Sequence, residues 1–399
     1  MPRNLDLLTR RTSSRTQCRW LPATSPLSRL ARGLSHLATL ARSSSIVALS
    51  VAFLATGAGT ASAQSLSRAS VDSVSAFDLF KGPGTSGQPD ASIDISSVIR
   101  LSSGWSVQVR PWFFKSSTYD STWSKEIYQA AVRYQRTGDT SLRLDAGYIA
   151  SPVGLGMTEM RADVNPTIQP HLSYFVPLLP FERGAPGVNA VTASYPLGAT
   201  LTVSRTKWDA RGALLASTPS RRYALSLVSR THLTPTPTIV IGGGVTPRVG
   251  LRVGGSFVSG PYAAASEVAD GANTHDLRMW TVEGEYAFDY TRVSGEFTRE
   301  RFAHGGSVDT AGTWFVQGVQ TISPRWFAAV RHEAISAPPA LFAGPGGPRL
   351  SFRTTERTIA YRLTPELTAR TSITSQRFYT ATTTDTRLGV QLVWSRRWW

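Results

Sequence analysis

The chain has 399 residues, of which 41% are hydrophobic and 17% are charged, and its formal net charge is +16. The charged fraction is low for a soluble domain, where about 25% is usual. After residue 64, no stretch approaches the ~18 consecutive apolar residues that a membrane-spanning helix needs. The single cysteine, Cys18, lies near the N-terminus, so disulfide and cysteine–metal chemistry are excluded from the rest of the chain. This composition excludes a helical membrane protein and favours a chain that crosses a membrane as strands.

Residues 1–63 have the features of a secretory signal peptide with an extended n-region. The apolar run 46–58 is preceded by arginines and followed by Ala61 and Ala63 in an A-x-A cleavage pattern. An N-terminal membrane anchor is the alternative, but the run is short for that and ends in small residues. We expect cleavage after Ala63, which leaves a net charge of +9. Because an exported chain does not meet nucleic acid, the remaining basic excess points to an anionic surface or to anionic solutes.

From residue 91 onward, apolar and polar side chains alternate in stretches of about ten residues, as in transmembrane strands. Val107 and Val109, for example, alternate with Gln108 and Arg110. Successive side chains of a strand point to opposite faces, so each stretch has one apolar and one polar face. A soluble sandwich would show the same alternation with the apolar face inward. Aromatic residues near strand ends and numerous charges on the polar face favour the inverted arrangement, with the apolar face toward lipid.

Short and long connections alternate between these stretches. The tight turns are predicted at 102–104, 137–139, 196–198, 247–250, 289–290, 323–325 and 364–366. The longer loops are predicted at 116–124, 151–187, 209–236, 260–275, 303–310, 336–352 and 379–384. This alternation is typical of outer-membrane barrels.

Counting with that alternation predicts an all-β fold, a transmembrane antiparallel β-barrel of about 16 strands, within a range of 14–18. Fifteen strands lie between residue 91 and the end of the chain, and a weaker one near 71–80 is the sixteenth. The predicted organisation is a removed segment at 1–63, an N-terminal periplasmic segment with a first strand at 64–90, and the barrel at 91–399.

The end of the chain resembles the closing strand of Gram-negative outer-membrane porins. Apolar residues alternate up to Trp394, and the chain ends in Trp398 and Trp399, although Arg396 interrupts the alternation. Porins typically end in an alternating apolar strand with a terminal aromatic residue, which the barrel assembly machinery reads. The resemblance implies that Trp394, Trp398 and Trp399 form this assembly signal. It also implies outer-membrane lipid and the assembly machinery as partners, a homotrimer, and a passive channel for small hydrophilic solutes in the cell outer membrane.

The loop 151–187 follows the fifth predicted strand. In the general porins that the chain resembles, the loop after the fifth strand folds into the barrel and narrows it. The charged residues of this loop are Glu159, Arg161, Asp163, Glu182 and Arg183. Charged groups of both signs at a constriction select solutes. An ordinary outer loop with charged tips is the alternative interpretation.

Ten arginines on polar strand faces are predicted to line the pore. They are Arg100, Arg110, Arg133, Arg143, Arg252, Arg292, Arg331, Arg362, Arg370 and Arg387. The acids predicted on the same faces are Asp94, Asp145, Glu283, Glu285, Glu296, Glu300, Glu333 and Glu356. Two interpretations stay open: a positive conduit for anions, similar to the phosphate-selective and other anion-preferring porins, or a wall of cross-strand ion pairs without strong selectivity.

Two other classes of function remain as alternatives. An outer-membrane barrel enzyme would need a nucleophile with a base, but the chain has no G-x-S-x-G or H-E-x-x-H spacing. No catalytic residue, metal or cofactor is therefore predicted, although groups from separate strands could still assemble. A closed barrel that acts as an adhesin or has a purely structural role is the third candidate.

Overall fold

The computed structural model describes residues 69–82, 87–116, 120–174, 195–220, 225–226, 235–267, 274–337, 350–378 and 383–398. The predicted signal peptide with Ala61 and Ala63 lies outside these residues, as do Glu182, Arg183 and Trp399.

Strands dominate the described part of the chain. They are β1 (Ala69–Lys81), β2 (Gln88–Ser102), β3 (Trp105–Ser116), β4 (Asp120–Arg136), β5 (Ser141–Tyr148), β6 (Leu197–Arg205), β7 (Trp208–Leu215), β8 (Leu225–Ser226), β9 (Thr238–Arg248), β10 (Leu251–Pro261), β11 (His275–Phe288), β12 (Thr291–His304), β13 (Ser307–Thr321), β14 (Trp326–Ala337), β15 (Leu350–Arg362), β16 (Leu367–Phe378) and β17 (Asp385–Arg397). Short 3-10 turns occupy Gly156–Glu159, Leu172–Tyr174 and Ala265–Glu267. None of the helical segments in these ranges has the length and apolar character needed to span a membrane.

All strands except β8 form one closed antiparallel barrel. Each pairs with its neighbours in chain order, and β1 pairs with both β2 and β17, from Asp72 opposite Arg397 to Lys81 opposite Leu388. The two-residue β8 pairs only with β4, and β7 pairs directly with β9 in the barrel wall. The predicted barrel of sixteen strands is confirmed. The first strand predicted within 64–90 is β1, so the barrel begins at Ala69 rather than at residue 91.

The two faces of the barrel wall differ as the alternation predicts. On β17, Leu388, Val390 and Leu392 are 55%, 50% and 44% exposed, whereas Gln391 between them is 2% exposed. The exposed apolar side chains form the outer face, and the polar side chains are enclosed. In a soluble sheet the apolar face would be the buried one. This inverted arrangement is stable in lipid, where closure also pairs the backbone groups of every strand edge.

Three of the predicted connections are wrong. Residues 196–198 are not a turn, because β6 begins at Leu197 and the turn follows at 206–207. Gly198 lies there because strands approach closely: a Cβ at this position would be 2.4 Å from the carbonyl oxygen of Leu214. The predicted loop 209–236 consequently contains most of β7, and the predicted loop 303–310 is a tight turn. Gly305 and Gly306 make that turn with positive φ angles of 51° and 82°.

The height of the wall varies around the barrel. Strands β5–β7 have only eight or nine residues, whereas β11–β13 have fourteen or fifteen. The long connection after β5 therefore starts at the low side of the rim.

The C-terminal strand closes the barrel through Trp398. Its backbone N–H donates to the carbonyl of Val71 at 2.9 Å, and its indole Nε1 donates to Ser73 Oγ at 2.9 Å. Its ring meets that of Trp394 edge to face, with centroids 5.9 Å apart. Of the three tryptophans predicted to direct assembly, Trp394 and Trp398 thus lie at the β1–β17 seam, with the role itself remaining a prediction.

Replacing Trp398 by Ala should weaken this seam. We expect a loss of about 1–3 kcal/mol in the free energy of unfolding, because one hydrogen bond and the ring packing disappear. The measurement is the fraction of heat-modifiable folded band after refolding into detergent, together with urea unfolding. Trp326→Ala is the matched control, since Trp326 is similarly exposed, at 42% against 45%, but lies at β14, away from the seam. An equal loss in both variants would show that ring burial in lipid, rather than closure, is what matters.

Candidate functional site

Residues 151–174, which we call the inner loop, fold into the barrel. The inner loop contacts enclosed side chains of β1 and β12–β16, and we call these inner faces the anchor wall. Val153 and Tyr174 are completely buried against it. A connection that lay outside the rim would leave these groups exposed to water. The segment therefore lies inside the barrel, where Val153 and Tyr174 also belong to one buried apolar cluster with residues such as Leu215 of β7 and Val258 of β10.

The start of the inner loop is held by Glu296 of β12. The backbone N–H of Leu155 donates to this carboxylate at 2.6 Å, and the Tyr174 hydroxyl donates to it at 3.3 Å. Burial raises the pKa of the Tyr174 hydroxyl well above its ordinary value, and the nearby carboxylates raise it further, so the hydroxyl keeps its proton. Gly154 has φ +80°, and a Cβ at Gly156 would lie 2.2 Å from the Tyr174 ring. Larger residues do not fit at these glycines without displacing the tyrosine.

The middle of the inner loop is held by buried charges on β14–β16. Backbone N–H groups of Ile168 and Leu172 donate to the carboxylates of Glu356 and Glu333, at 2.9 and 2.7 Å. Backbone carbonyls of the loop in turn accept from arginines of the wall. Arg370 donates to the carbonyl of Thr167 at 3.2 Å, and Arg331 donates to that of Gln169.

Arg331 and Arg370 are only 2% and 4% exposed. Both were predicted to line the pore. They lie on the inner face, but their guanidinium groups bind the inner loop instead of facing open lumen.

Glu159 is the centre of a buried polar cluster where the inner loop meets β12 and β13. His171 Nε2 lies 2.9 Å from Glu159 Oε2, and Arg292 donates to Oε1 at 2.9 Å. Gln317 donates to both oxygens, at 3.0 and 2.9 Å. Burial raises the pKa of the Glu159 carboxyl, but the hydrogen bonds and the positive charge of Arg292 outweigh burial, so the pKa lies below its ordinary value. Glu159 is therefore a carboxylate.

His171 is completely buried and packs on Phe315, with ring centroids 4.3 Å apart. Burial lowers the pKa of its imidazole, and the charge of Arg331 lowers it further, against the opposing effect of Glu159 and Glu333. A neutral imidazole that donates from Nε2 to Glu159 fits this environment.

Arg161 joins the inner loop to the first strand. It binds Asp163 of the loop through two hydrogen bonds, at 3.1 and 3.0 Å, and Asp72 of β1 at 2.7 Å. Burial lowers the pKa of the Arg161 guanidinium, but these carboxylates outweigh burial and raise it. The three described charged residues of the predicted constriction loop thus all bind within the barrel.

The inner faces of β2–β11, which we call the arginine wall, carry most of the other predicted arginines. Arg110 binds Asp94, with contacts of 2.5–3.0 Å. Arg133 and Arg143 both bind Asp145 at 2.6 Å. Two arginines therefore share one carboxylate.

Sequence reasoning missed part of this wall. Arg252 of β10 binds Glu283 at 2.7 Å and Asp209 at 3.1 Å, and Arg211 of β7 also reaches Glu283, at 3.3 Å. Asp209 and Arg211 were not predicted because residues 209–236 were taken as a loop. Asp209 and Arg211 alternate with Ala210 and Gly212, and this period of two could have predicted a strand here.

Three predicted arginines lie toward the ends of strands. Arg100 is exposed at the turn end of β2. Arg362 donates to the carbonyl of Pro324 at 2.9 Å and lies over the ring of Phe327. Arg387 faces Thr374 across the β16–β17 pair. In the described ranges, no group of three or more His, Asp, Glu or Cys residues is arranged to hold a metal ion.

Barrels with a similar fold are known among solved structures. One is OmpF of Salmonella typhi in complex with daunomycin, with 10% identity, coverage of 82% of this chain and 97% of that chain, and a TM-score of 0.55. Another is a loop L8 deletion mutant of OmpT, an outer membrane protein of Vibrio cholerae, with 8% identity, 82% and 99% coverage, and a TM-score of 0.54. The barrel has the fold of the outer-membrane porins.

An anion-selective porin from Comamonas acidovorans is also similar, with 7% identity, 82% and 99% coverage, and a TM-score of 0.50. No protein-family model and no curated protein sequence matches the chain. Identities this low show a shared fold alone, and at that level the resemblance to porins is confirmed. Because the exposed apolar face requires lipid, the porin fold here is that of an outer-membrane barrel.

Acidification should loosen the inner loop through His171 and Glu159. A detached His171 would take up a proton below about pH 6.5, whereas the buried imidazole has a lowered pKa, so attachment weakens as the pH falls through this range. The lowered pKa of Glu159 acts in the same direction at still lower pH, because its stabilisation is lost as pH falls through the folded pKa. For one proton, the effect is at most about tenfold in the attachment equilibrium for each pH unit.

Amide hydrogen exchange of residues 155–172, corrected for intrinsic rates, is the measurement. In His171→Gln the amide can still donate to Glu159 but does not titrate, so protection should fall less between pH 7.5 and 5 than in the wild-type chain. If the wild-type chain and this variant lose protection equally, His171 does not control the attachment.

Proposed function

We propose that the chain is a passive diffusion channel for small hydrophilic solutes in the outer membrane. The observation that carries the proposal is that the inner loop packs on the anchor wall, while side chains of the arginine wall keep contact with solvent inside the barrel. Arg143 and Arg252 retain 49% and 27% of their side-chain exposure. A barrel of about sixteen strands has room for an aqueous lumen, and a segment packed along one side narrows that lumen without requiring its closure.

The inner loop is the constriction in this proposal. It brings Glu159, Arg161 and Asp163 into the barrel, so charges of both signs border the narrow part. Such an arrangement acts on the dipole and the charge of a passing solute. The carboxylates on β12, β14 and β15 bind the backbone of the loop, and the cluster around Glu159 binds its side chains. Both sets of contacts support a fixed position of the loop.

A preference for anions is the finer part of the proposal, and we expect it to be weak. Arg110 is matched by Asp94, and Arg211 and Arg252 are matched by Asp209 and Glu283. Matched pairs contribute little net field at a distance.

Arg133 and Arg143 differ from these matched pairs, because they share Asp145 and so leave one positive charge. We place the anion preference at this point of the arginine wall.

We also propose a homotrimer and delivery by the barrel assembly machinery. The support for the trimer is the fold: a solved OmpT structure of Vibrio cholerae with the same fold is described as a trimer form. Crosslinking in intact outer membranes, followed by separation of the folded species, tests this assembly directly.

Removing the inner loop should enlarge the pore. Tyr148 and Leu197 are direct partners in the β5–β6 pair, so a short Gly/Ser linker can replace residues 151–192. We expect the single-channel conductance in planar bilayers to rise by about twofold or more, because a charged constriction is removed. A similar replacement of 338–349, the β14–β15 connection at the same end of the barrel, is the control and should change conductance less. Absence of conductance in the wild-type chain would favour an adhesin or structural barrel.

Arg143→Gln should shift the pore toward cations. One unit charge about 10 Å from a permeating ion in water changes the energy of that ion by about 0.4 kcal/mol, with opposite signs for anions and cations, so its removal should change the anion-to-cation permeability ratio by about fourfold. The zero-current potential across a salt gradient measures this ratio. Arg205→Gln is the matched control, because Arg205 is an exposed arginine at the end of β6 whose Nε donates to Thr140. Equal shifts in both variants, or none in either, would remove Arg143 from the proposal.

A further inference from the structure

Two carboxylates lie directly opposite each other where the arginine wall meets the anchor wall. Glu283 of β11 is the register partner of Glu296 of β12, and the two residues are only 2% and 5% exposed. Side chains in directly opposed positions have Cβ atoms about 5 Å apart, and like charges at such positions destabilise a sheet. This pair is therefore unfavourable unless each carboxylate is bound by another group.

The two carboxylates are bound by different parts of the molecule. Glu283 is bound by the arginine wall, because Arg252 donates to its Oε1 at 2.7 Å and Arg211 donates to the same oxygen at 3.3 Å. Glu296 is bound by the inner loop, whose Leu155 N–H donates to its Oε2 at 2.6 Å. Among the described residues, no arginine or lysine forms an ion pair with Glu296. The cations that balance this carboxylate pair in the described ranges thus lie on the Glu283 side.

The charge of Glu283 also reaches the inner loop. The Tyr174 hydroxyl donates to Glu296 at 3.3 Å. Burial raises the pKa of this hydroxyl, and the charges of Glu296 and Glu283 raise it further. The second oxygen of Glu283, Oε2, is buried and has no hydrogen-bond partner in the described part of the chain. Loss of an arginine at Oε1 would therefore leave much of the negative charge of Glu283 uncompensated beside the loop attachment.

The backbone of β9 and β10 keeps Arg252 close to Glu283. A Cβ at Gly254 would lie 3.0 Å from Glu283 Oε1 and 3.1 Å from Arg252 Nη1. A Cβ at Gly244 would lie 2.7 Å from Arg252 Nη2. Side chains at these two positions would push the guanidinium group or the carboxylate aside. The shape of the wall thus favours the ion pair over a position of Arg252 further into the lumen.

We propose that Arg252, assisted by Arg211, positions the start of the inner loop through the two carboxylates. While Arg252 neutralises Glu283, Glu296 keeps its negative charge and binds the Leu155 N–H strongly. Without the arginine, repulsion from Glu283 favours protonation or displacement of Glu296. Because a hydrogen bond to a charged acceptor is about twice as strong as one to a neutral acceptor, the attachment then weakens.

Arg252 is in this view a positioning residue for the constriction. Its consequence for solutes rests on the proposed function, because a loosened loop changes the width of the lumen only if the lumen conducts. The coupling itself is measured on the loop, so a failure of the coupling is distinguishable from a failure of the proposed channel.

The test is the amide hydrogen exchange of Leu155, corrected for its intrinsic rate, in the folded chain in neutral detergent at pH 8. Arg252→Gln should speed this exchange by about tenfold, a typical size for a coupling between two sites. Glu283→Gln alone should leave the exchange unchanged or slow it, because the amide carries no charge. The combined variant Arg252→Gln/Glu283→Gln should exchange within about twofold of the wild-type chain, which would show that the effect of Arg252 passes through Glu283.

Two controls separate this coupling from a general loss of structure. The Ile168 amide, which binds Glu356 further along the loop, should keep its protection in all of these variants. Arg133→Gln is the matched control, because it also removes an arginine bound to an enclosed carboxylate. That carboxylate, Asp145, lies opposite Thr200 of the next strand instead of opposite a second acid, so the exchange of the loop should not change.

Three results would overturn the proposal. The first is equal exchange of Leu155 in Arg252→Gln and in the wild-type chain. The second is fast exchange that persists in the combined variant, because Arg252 would then support the wall by its packing and not by its charge. The third is an equal loss of protection at Ile168 or in Arg133→Gln, which would show that any change in the wall loosens the whole loop.

Discussion

The pairing of β1 with β17 is the constraint on which the rest of the structure depends. In a lipid environment, an unpaired strand edge would leave a row of N–H and C=O groups without partners, at a cost of several kcal/mol for each group. Closure removes both edges and turns a sheet with one apolar face into a cylinder with an apolar outside and a polar inside. Once the cylinder is closed, its polar side chains face one another across a limited space. The ion pairs of the arginine wall and the carboxylates of the anchor wall follow from that confinement.

The inner loop provides hydrogen-bond donors for the enclosed carboxylates. Glu296, Glu333 and Glu356 each accept backbone N–H groups of the loop, which supply partners that the neighbouring strands do not provide. Arginines from the same wall reach the loop carbonyls. The loop therefore binds the wall through its backbone as well as through the side chains of Glu159, Arg161 and Tyr174. Gly154 and Gly156, which leave room for Tyr174, are the places where sequence matters most.

The alternation of side chains predicts the barrel well, because a period of two is local and repeats in every strand. Turn residues are less informative. Gly198 looks like part of a turn, but a glycine is needed there because β6 and β7 approach closely. The turn was therefore predicted in the wrong place, β7 was predicted as loop, and Asp209 and Arg211 were not predicted to face the lumen. The partners of the ten arginines are even harder to predict from the sequence. Nothing in the sequence separates Arg331, buried against the loop, from Arg143, half exposed in the lumen, because their difference arises from where a distant segment packs.

The order of folding follows from the positions of these partners along the chain. The contacts that hold the inner loop join residues 141 positions apart at Leu155–Glu296, 188 apart at Ile168–Glu356 and 203 apart at Thr167–Arg370. Every one of these wall residues follows the loop in sequence. The loop cannot dock until β12–β16 have assembled, and contacts of such separation form late. An early intermediate of the N-terminal strands would thus carry the loop undocked, and the final width of the lumen would be set only after the last third of the chain has joined the wall.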